Sequence, residues 1–123
     1  MKEERIFSAP AGRRKERGCF MAKVKVEAGI CGFQTEIQAE APDMFSCDLN
    51  LNTTCPNIQK IAADLGTLNP LEEISFKGNS RLRELFFQYC PHAACPVLPG
   101  IVKAVEVAAG LALPGDAHIF VQK

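Results

Sequence analysis

Apolar and polar residues alternate with a period of two in the first half of the chain. Two such stretches, residues 23–28 and 33–40, are separated by the short segment Gly29-Ile30-Cys31-Gly32. Alternation of this kind is typical of strands with one buried face, and a glycine-bounded loop between two strands forms a β-hairpin. The pattern therefore predicts a hairpin with Cys31 at its tip.

A third alternating stretch follows the turn Ala41-Pro42-Asp43. It predicts a strand with polar residues outward and four residues inward: Phe45, Cys47, Leu49 and Leu51. Cys47 is thereby assigned to the core, where a free cysteine packs as a small hydrophobic residue.

Apolar residues at helical spacing predict three helices in the second half. The first begins near Thr54-Cys55-Pro56 and ends at Gly66, because proline suits the first turn and glycine the C-terminal end. Asn79 or Ser80 caps the second, which runs to Cys90, and the third spans residues 98–110. Between the first two, we expect a connection with a short helical turn after Pro70, pinned to the core by four apolar side chains: Leu68, Leu71, Ile74 and Phe76.

These elements predict a two-layer α+β domain. A mostly antiparallel sheet of four strands is covered on one face by three helices, in the order β-β-β-α-α-α-β. The last strand is expected over His118–Gln122, and the domain over residues 21–123.

Residues 1–20 differ in composition from the remainder. They contain six Lys or Arg and three Glu, interrupted by Pro10, Gly12 and Gly18. We expect either a disordered tail or a translated leader that precedes a native start at Met21. Purine-rich codons over Lys15–Gly18 would support the leader hypothesis, and pyrimidine-rich codons would exclude it.

Charge, apolar runs and cysteine content together disfavour a nucleic-acid-binding or membrane-spanning protein. Fourteen basic residues balance fourteen acidic ones, so no charge excess favours nucleic acid, and no apolar run is long enough to span a membrane. The chain nevertheless has six cysteines and no apolar signal-peptide region at its N-terminus. We therefore expect a cytoplasmic protein, in which clustered cysteines serve metal or redox chemistry more often than disulfides.

The predicted topology brings four cysteines to one end of the domain. Cys31 lies at the hairpin tip, and Cys55 follows the third strand at the same end. If the second helix returns antiparallel to the first, it ends there with Cys90, and the third helix begins there after Cys95. Cys47 lies mid-strand, and Cys19 lies outside the domain.

Four thiolates are a typical ligand set for Zn²⁺ or an iron-sulfur cluster. A small metal or iron-sulfur protein, acting as a carrier, an electron-transfer module or a component bound to a partner protein, is the leading interpretation. His92 is an alternative ligand in place of one cysteine, although an exposed loop residue without a role is the simpler interpretation. The spacing matches no standard motif, since the chain has no CxxC.

Two alternatives remain open. The first is a thiol-dependent redox enzyme that uses Cys95 and Cys90, with His92 as a base. In that case the following helix N-terminus is expected to lower the pKa of Cys95. The second is a structural interaction domain whose thiols perform no chemistry.

Three segments carry a resemblance to a known family: Ala28–Phe33 (AGICGF), His92–Val97 (HAACPV) and Glu106–Pro114 (EVAAGLALP). Over about residues 21–122 the chain resembles a family of small uncharacterised proteins of anaerobic bacteria and archaea, known as a domain of unknown function. The resemblance implies no activity. It does imply that the family's matching cysteines are Cys31, Cys55, Cys90 and Cys95, and an anaerobic setting would suit an oxygen-sensitive cluster.

Overall fold

The computed structural model describes residues 20–123, and its three strands form one antiparallel sheet. β1 (Phe20–Glu27) pairs with β2 (Gln34–Asp43), which pairs in turn with β3 (Ser46–Thr53), so the strand order is β1-β2-β3. The predicted hairpin is confirmed, with Cys31 in the loop between β1 and β2.

Residues 1–19, which include Cys19, lie outside the described residues. The proposed tail or leader therefore stays a prediction. The sheet begins at Phe20, which pairs with Ala41, one residue before the predicted start of the domain.

Four helices follow the sheet, where the sequence predicted three. They are α1 (Pro56–Asp64), α2 (Pro70–Glu73), α3 (Arg81–Tyr89) and α4 (Val97–Ala108). The additional helix, α2, is a single turn that begins at a proline and is capped by Asn69, whose Oδ1 accepts a hydrogen bond from the Leu71 N–H at 3.1 Å. None of the helices in residues 20–123 is long and apolar enough to cross a membrane.

The predicted fourth strand is wrong for the part of the chain that the structure describes. Residues His118–Gln122 belong to no strand there, and Ile119, Phe120 and Val121 are 79–89% exposed. A segment with alternating residues forms a strand only when it pairs with the edge of a sheet. Residues 118–122 lie on no sheet edge among residues 20–123. The α+β class is confirmed, with three strands.

Helices cover one face of the sheet and leave the other exposed. α4 packs on β1 and β2, and α1 packs on β3 and α3. Gly100 permits the close approach of α4, since a Cβ there would lie 2.5 Å from Cγ2 of Val26. The core between the layers includes the following fully buried side chains: Ile37, Cys47, Ile58, Ile61, Leu82, Leu85, Ile101 and Val105.

The connection from α1 to α3 is held differently from the prediction. Leu68 is buried and pairs with Cys47 through two backbone hydrogen bonds of 2.8 Å. The other three apolar residues expected to pin it are exposed, with Phe76 at 94%. Phe45 was also expected inward but is 62% exposed, because it lies in the turn before β3, where its N–H donates to Oδ1 of Asp43.

A buried carboxylate anchors the connection instead. Glu73 is 2% exposed and accepts hydrogen bonds from the Ser80 hydroxyl at 2.6 Å and from the N–H groups of Arg81 and Leu82 at 2.9 and 3.1 Å. These amides have no partner within α3 because they belong to its first turn. Glu73 therefore fixes the start of the helix that leads to Cys90.

Candidate functional site

Two hydrogen bonds tie the base of the hairpin loop to the N-terminus of α1. The Thr54 N–H donates to the carbonyl of Gln34 at 3.1 Å, and the Gln34 N–H donates to Oγ1 of Thr54 at 3.2 Å. Gln34 follows the loop that contains Cys31, and Thr54 precedes Cys55. The backbone segments that carry these two cysteines therefore lie at the same end of the sheet. Thr54 was predicted near the start of this helix, but its pairing with Gln34 was not, because the two residues are distant in sequence.

Cys55 is the N-cap residue of α1 and does not cap it with its side chain. Its backbone is extended, its N–H donates to Oγ1 of Thr53 at 3.1 Å, and Pro56 follows as the first helical residue. The thiol is partly buried and packs against the core. Its sulfur is consequently free for other interactions.

The segment from Cys90 to Cys95 joins α3 to α4. Cys90 is the C-cap of α3 and leaves the helix in an extended conformation, as expected for a residue before proline. Its Sγ–H donates to the carbonyl of His92 at 3.4 Å, which folds the joint back on itself. Cys95 precedes Pro96, the N-cap of α4, and both thiols are partly buried.

The thiol of Cys95 is electrostatically linked to two other cysteines. Burial raises its pKa, a hydrogen bond from the Val97 N–H lowers it, and the neighbouring thiols of Cys90 and Cys55 raise it again. The net change is upward. Cys90 and Cys55 are therefore the two cysteines whose thiols affect the ionisation of Cys95.

The expected low pKa of Cys95 is wrong for the free thiol. The helix N-terminus does contribute in the predicted direction, through the Val97 N–H. Burial and two neighbouring thiols outweigh it, because an anionic sulfur there is poorly solvated and repelled by other thiolates.

Cys31 lies at the same end but apart from the other three. It is exposed at the hairpin tip, and Ile30 beside it is fully exposed. The two glycines that bound the tip, Gly29 and Gly32, have φ angles of 96° and 76°, and among residues 20–123 no atom of another element lies within 4 Å of a Cβ placed on either. The tip of the loop is therefore exposed to solvent.

Cys47 and His92 lie in opposite environments, one buried and one exposed. Cys47 is fully buried near the start of β3, six residues before Thr53, which corresponds to about 20 Å along the strand. Burial is the main cause that raises the pKa of the Cys47 thiol to about 11. His92 is exposed on the α3–α4 joint, and the carbonyl of His92 is the group that contacts Cys90.

The side chains are not arranged as a ready metal site. Within residues 20–123, no three or more His, Cys, Asp or Glu side chains form a group that could hold a metal ion. All five cysteines in this range are free thiols. Cys55, Cys90 and Cys95 are half-buried, Cys31 is exposed and Cys47 is buried.

A family of unknown function defines the class to which this domain belongs. The model of that family, DUF6951, matches residues 22–121, and the chain is a member of it. The match confirms the resemblance to an uncharacterised domain. No curated protein and no solved structure shows significant similarity to the chain.

Proposed function

We propose that Cys31, Cys55, Cys90 and Cys95 form a four-thiolate site for a zinc ion or an iron-sulfur cluster. The protein then acts as a small carrier, an electron-transfer module or a component of a larger complex in a reducing compartment such as the cytoplasm. The observation that carries the proposal is the closeness of the Cys90 and Cys55 thiols to Cys95, whose pKa both of them raise.

Thiols close to Cys95 mark a place where a cation would be favourable. In the free protein, burial and the neighbouring Cys90 and Cys55 raise the pKa of Cys95 and so favour its protonated form. A bound Zn²⁺ or a cluster iron reverses the balance, because thiolates are then stabilised by direct coordination and protons are released. Soft sulfur ligands also select these metals over magnesium or calcium.

The fourth ligand requires a local rearrangement. The loop from Ala28 to Phe33 is tied at its base by the bonds between Gln34 and Thr54, whereas its tip contacts no neighbouring element at the two glycines. Folding the tip over the joint brings Cys31 to the other thiols without disturbing the sheet. If Cys31 stays outside, His92 is the nearest alternative ligand along the joint.

Metal analysis of anaerobically purified protein tests the proposal. We expect close to one zinc per chain, or iron with acid-labile sulfide, and loss of most of that metal in Cys55→Ser, Cys90→Ser and Cys95→Ser variants. Cys47→Ala is the matched control, because it removes a thiol at the far end of the same sheet, and its metal content is expected to be unchanged. Metal-free wild-type protein, or equal metal in all variants, would contradict the proposal.

The variant Cys31→Ser tests the fourth ligand separately. We expect reduced metal retention against a competing chelator and a changed absorption spectrum of the bound metal. Unchanged retention in this variant, with loss in His92→Ala, would replace Cys31 by His92.

A redox dithiol is the second candidate, favoured by the effect of the Cys90 thiol on the ionisation of Cys95, with four residues of one joint between them. Oxidation of this pair would form one disulfide, release two protons and pass two electrons to an acceptor disulfide such as oxidised glutathione. The raised pKa of Cys95 disfavours it as an attacking nucleophile at neutral pH. Titration in glutathione redox buffers, followed by mass spectrometry, would reveal a reversible Cys90–Cys95 disulfide if this candidate holds.

The third possibility, an interaction domain without thiol chemistry, predicts neither bound metal nor a reversible disulfide. The same two experiments therefore separate all three.

A further inference from the structure

The C-terminal segment, residues 113–123, has the character of a strand without a partner strand. The rings of His118 and Phe120 stack with centroids 5.8 Å apart and planes 12° from parallel, so these side chains project on the same side of the backbone. Side chains at positions i and i+2 share a side in an extended chain. Ile119 and Val121 alternate with them, and both are highly exposed.

The backbone of this segment is also unpaired in the described part of the chain. After Ala112, whose N–H donates to the carbonyl of Glu106, none of the remaining residues takes part in a backbone hydrogen bond. The family match continues to residue 121, so the segment is part of the family's domain.

A matching edge lies on the same molecule. β1 is eight residues long, contains no proline, and pairs only with β2 among residues 20–123. The opposite edge of the sheet, β3, is interrupted by the bridge from Cys47 to Leu68. A long regular edge with unpaired N–H and C=O groups is a template for an added strand.

We propose that residues Ala117–Gln122 of one copy pair with the β1 edge of a second copy, and that the exchange is reciprocal. Each copy supplies one segment and one edge. Two copies related by a two-fold axis then satisfy both, extend each sheet to four strands and leave no β1 edge for further growth. The exposed apolar side chains of the segment become covered in the same step.

We favour the β1 edge of a second copy as the pairing partner, because the C-terminal segment does not lie on β1 of its own chain. The segment follows the end of α4 and Gly110, and in the monomer it remains extended and exposed instead of lying on β1. Residues 1–19 are the competing occupant, because they directly precede β1. The experiment below separates these occupants.

Sedimentation equilibrium and hydrogen exchange on the full chain test the proposal together. We expect a dimer that dissociates on dilution and slowed exchange of β1 amides that rises with protein concentration. The double variant Ile119→Pro/Val121→Pro is expected to be monomeric, with β1 exchange at least tenfold faster. Its melting temperature should equal that of wild type at concentrations where wild type is dissociated, because both residues are exposed and unpaired in the monomer, and should fall below it where wild type is a dimer. Phe87→Ala is the matched control, since it removes an equally exposed apolar side chain, on α3, and should leave the dimer intact.

Three results would overturn the proposal. A monomer at all concentrations with protected β1 amides that become exposed in the proline variant would place the segment on its own β1. Protection that survives the proline variant but disappears when residues 1–19 are removed would assign the edge to those residues. A dimer that the proline variant leaves unchanged would place the interface elsewhere.

Discussion

Cys47 allows a quantitative test of the division between structural and site cysteines. Its side chain is fully buried, and burial is the largest cause that raises its pKa from 9.0 to about 11. The folded state thus keeps the proton at a pH where the unfolded chain has lost it. The stabilisation by the protonated thiol is complete below pH 9 and is lost as the pH rises towards 11. Since one pKa unit corresponds to about 1.4 kcal/mol, the loss is on the order of 3 kcal/mol.

The assay is urea unfolding of metal-free, reduced protein at half-unit steps from pH 8 to 11.5. Other groups titrate in the same range, so the informative quantity is the difference between wild type and Cys47→Ala. The variant loses a constant amount through its smaller side chain, about 1 kcal/mol. We expect that deficit to shrink and then reverse as the pH passes from 9 to 11. A difference that stays constant over this range would refute the assignment of Cys47 to a dry core position.

Three further predictions concern the anchors of the site. Glu73→Ala should lower the free energy of unfolding by about 3 kcal/mol, because three donors, two of them backbone amides, lose their acceptor. The control Glu84→Ala removes only an exposed ion pair and should cost less than about 1 kcal/mol. Urea unfolding measures both. Gly100→Ala should destabilise the fold by about 1–2 kcal/mol despite a better helix propensity, since the new Cβ meets Val26, and a raised melting temperature would contradict this. The raised pKa of Cys95 predicts that its alkylation in metal-free protein remains slow at pH 8.5 and accelerates only at higher pH. Mass spectrometry measures the labelling. Fast labelling at pH 7 would favour the enzyme alternative.

Sequence patterns predicted the sheet well because each strand has one buried face. The inward positions Thr35, Ile37 and Ala39 are all buried, and their polar neighbours Glu36 and Glu40 are exposed, so period-two alternation determined the face of each residue. Cys47 lies in the core, as this alternation predicted. Phe45 was predicted to point inward but is exposed, because the turn at Asp43 delays the start of β3 by one residue.

The α1–α3 connection and the C-terminal segment were harder to predict, for two different reasons. Between α1 and α3, a buried carboxylate replaces the expected apolar anchors, and composition alone does not distinguish Glu73 from the partly exposed Glu72 beside it. For residues 118–122 the alternation is present, but strand formation depends on an available edge, which local sequence does not encode.

The candidate site was predicted from the order of strands and helices, whereas the pKa direction of its Cys95 thiol came from the structure. The order of strands and helices places cysteines at the ends of elements, and on that ground Cys31, Cys55, Cys90 and Cys95 were predicted to lie together without a known motif. The net pKa direction of Cys95 could not be predicted, because it depends on burial and on sulfur contacts between residues distant in sequence. The exposure of Cys31 depends on the conformation of a glycine-bounded loop, which the alternation of the flanking strands does not determine.

The central claim is that four thiolates surround one metal centre, and X-ray absorption spectroscopy of the metal-loaded protein tests it most directly. For the zinc form we predict a shell of four sulfur atoms at about 2.3 Å, the usual zinc–thiolate distance. The same measurement on Cys31→Ser should show three sulfur atoms and one lighter ligand, and on Cys47→Ala an unchanged shell. Fewer than four sulfur ligands in the wild-type protein, or no retained metal to measure, would contradict the account.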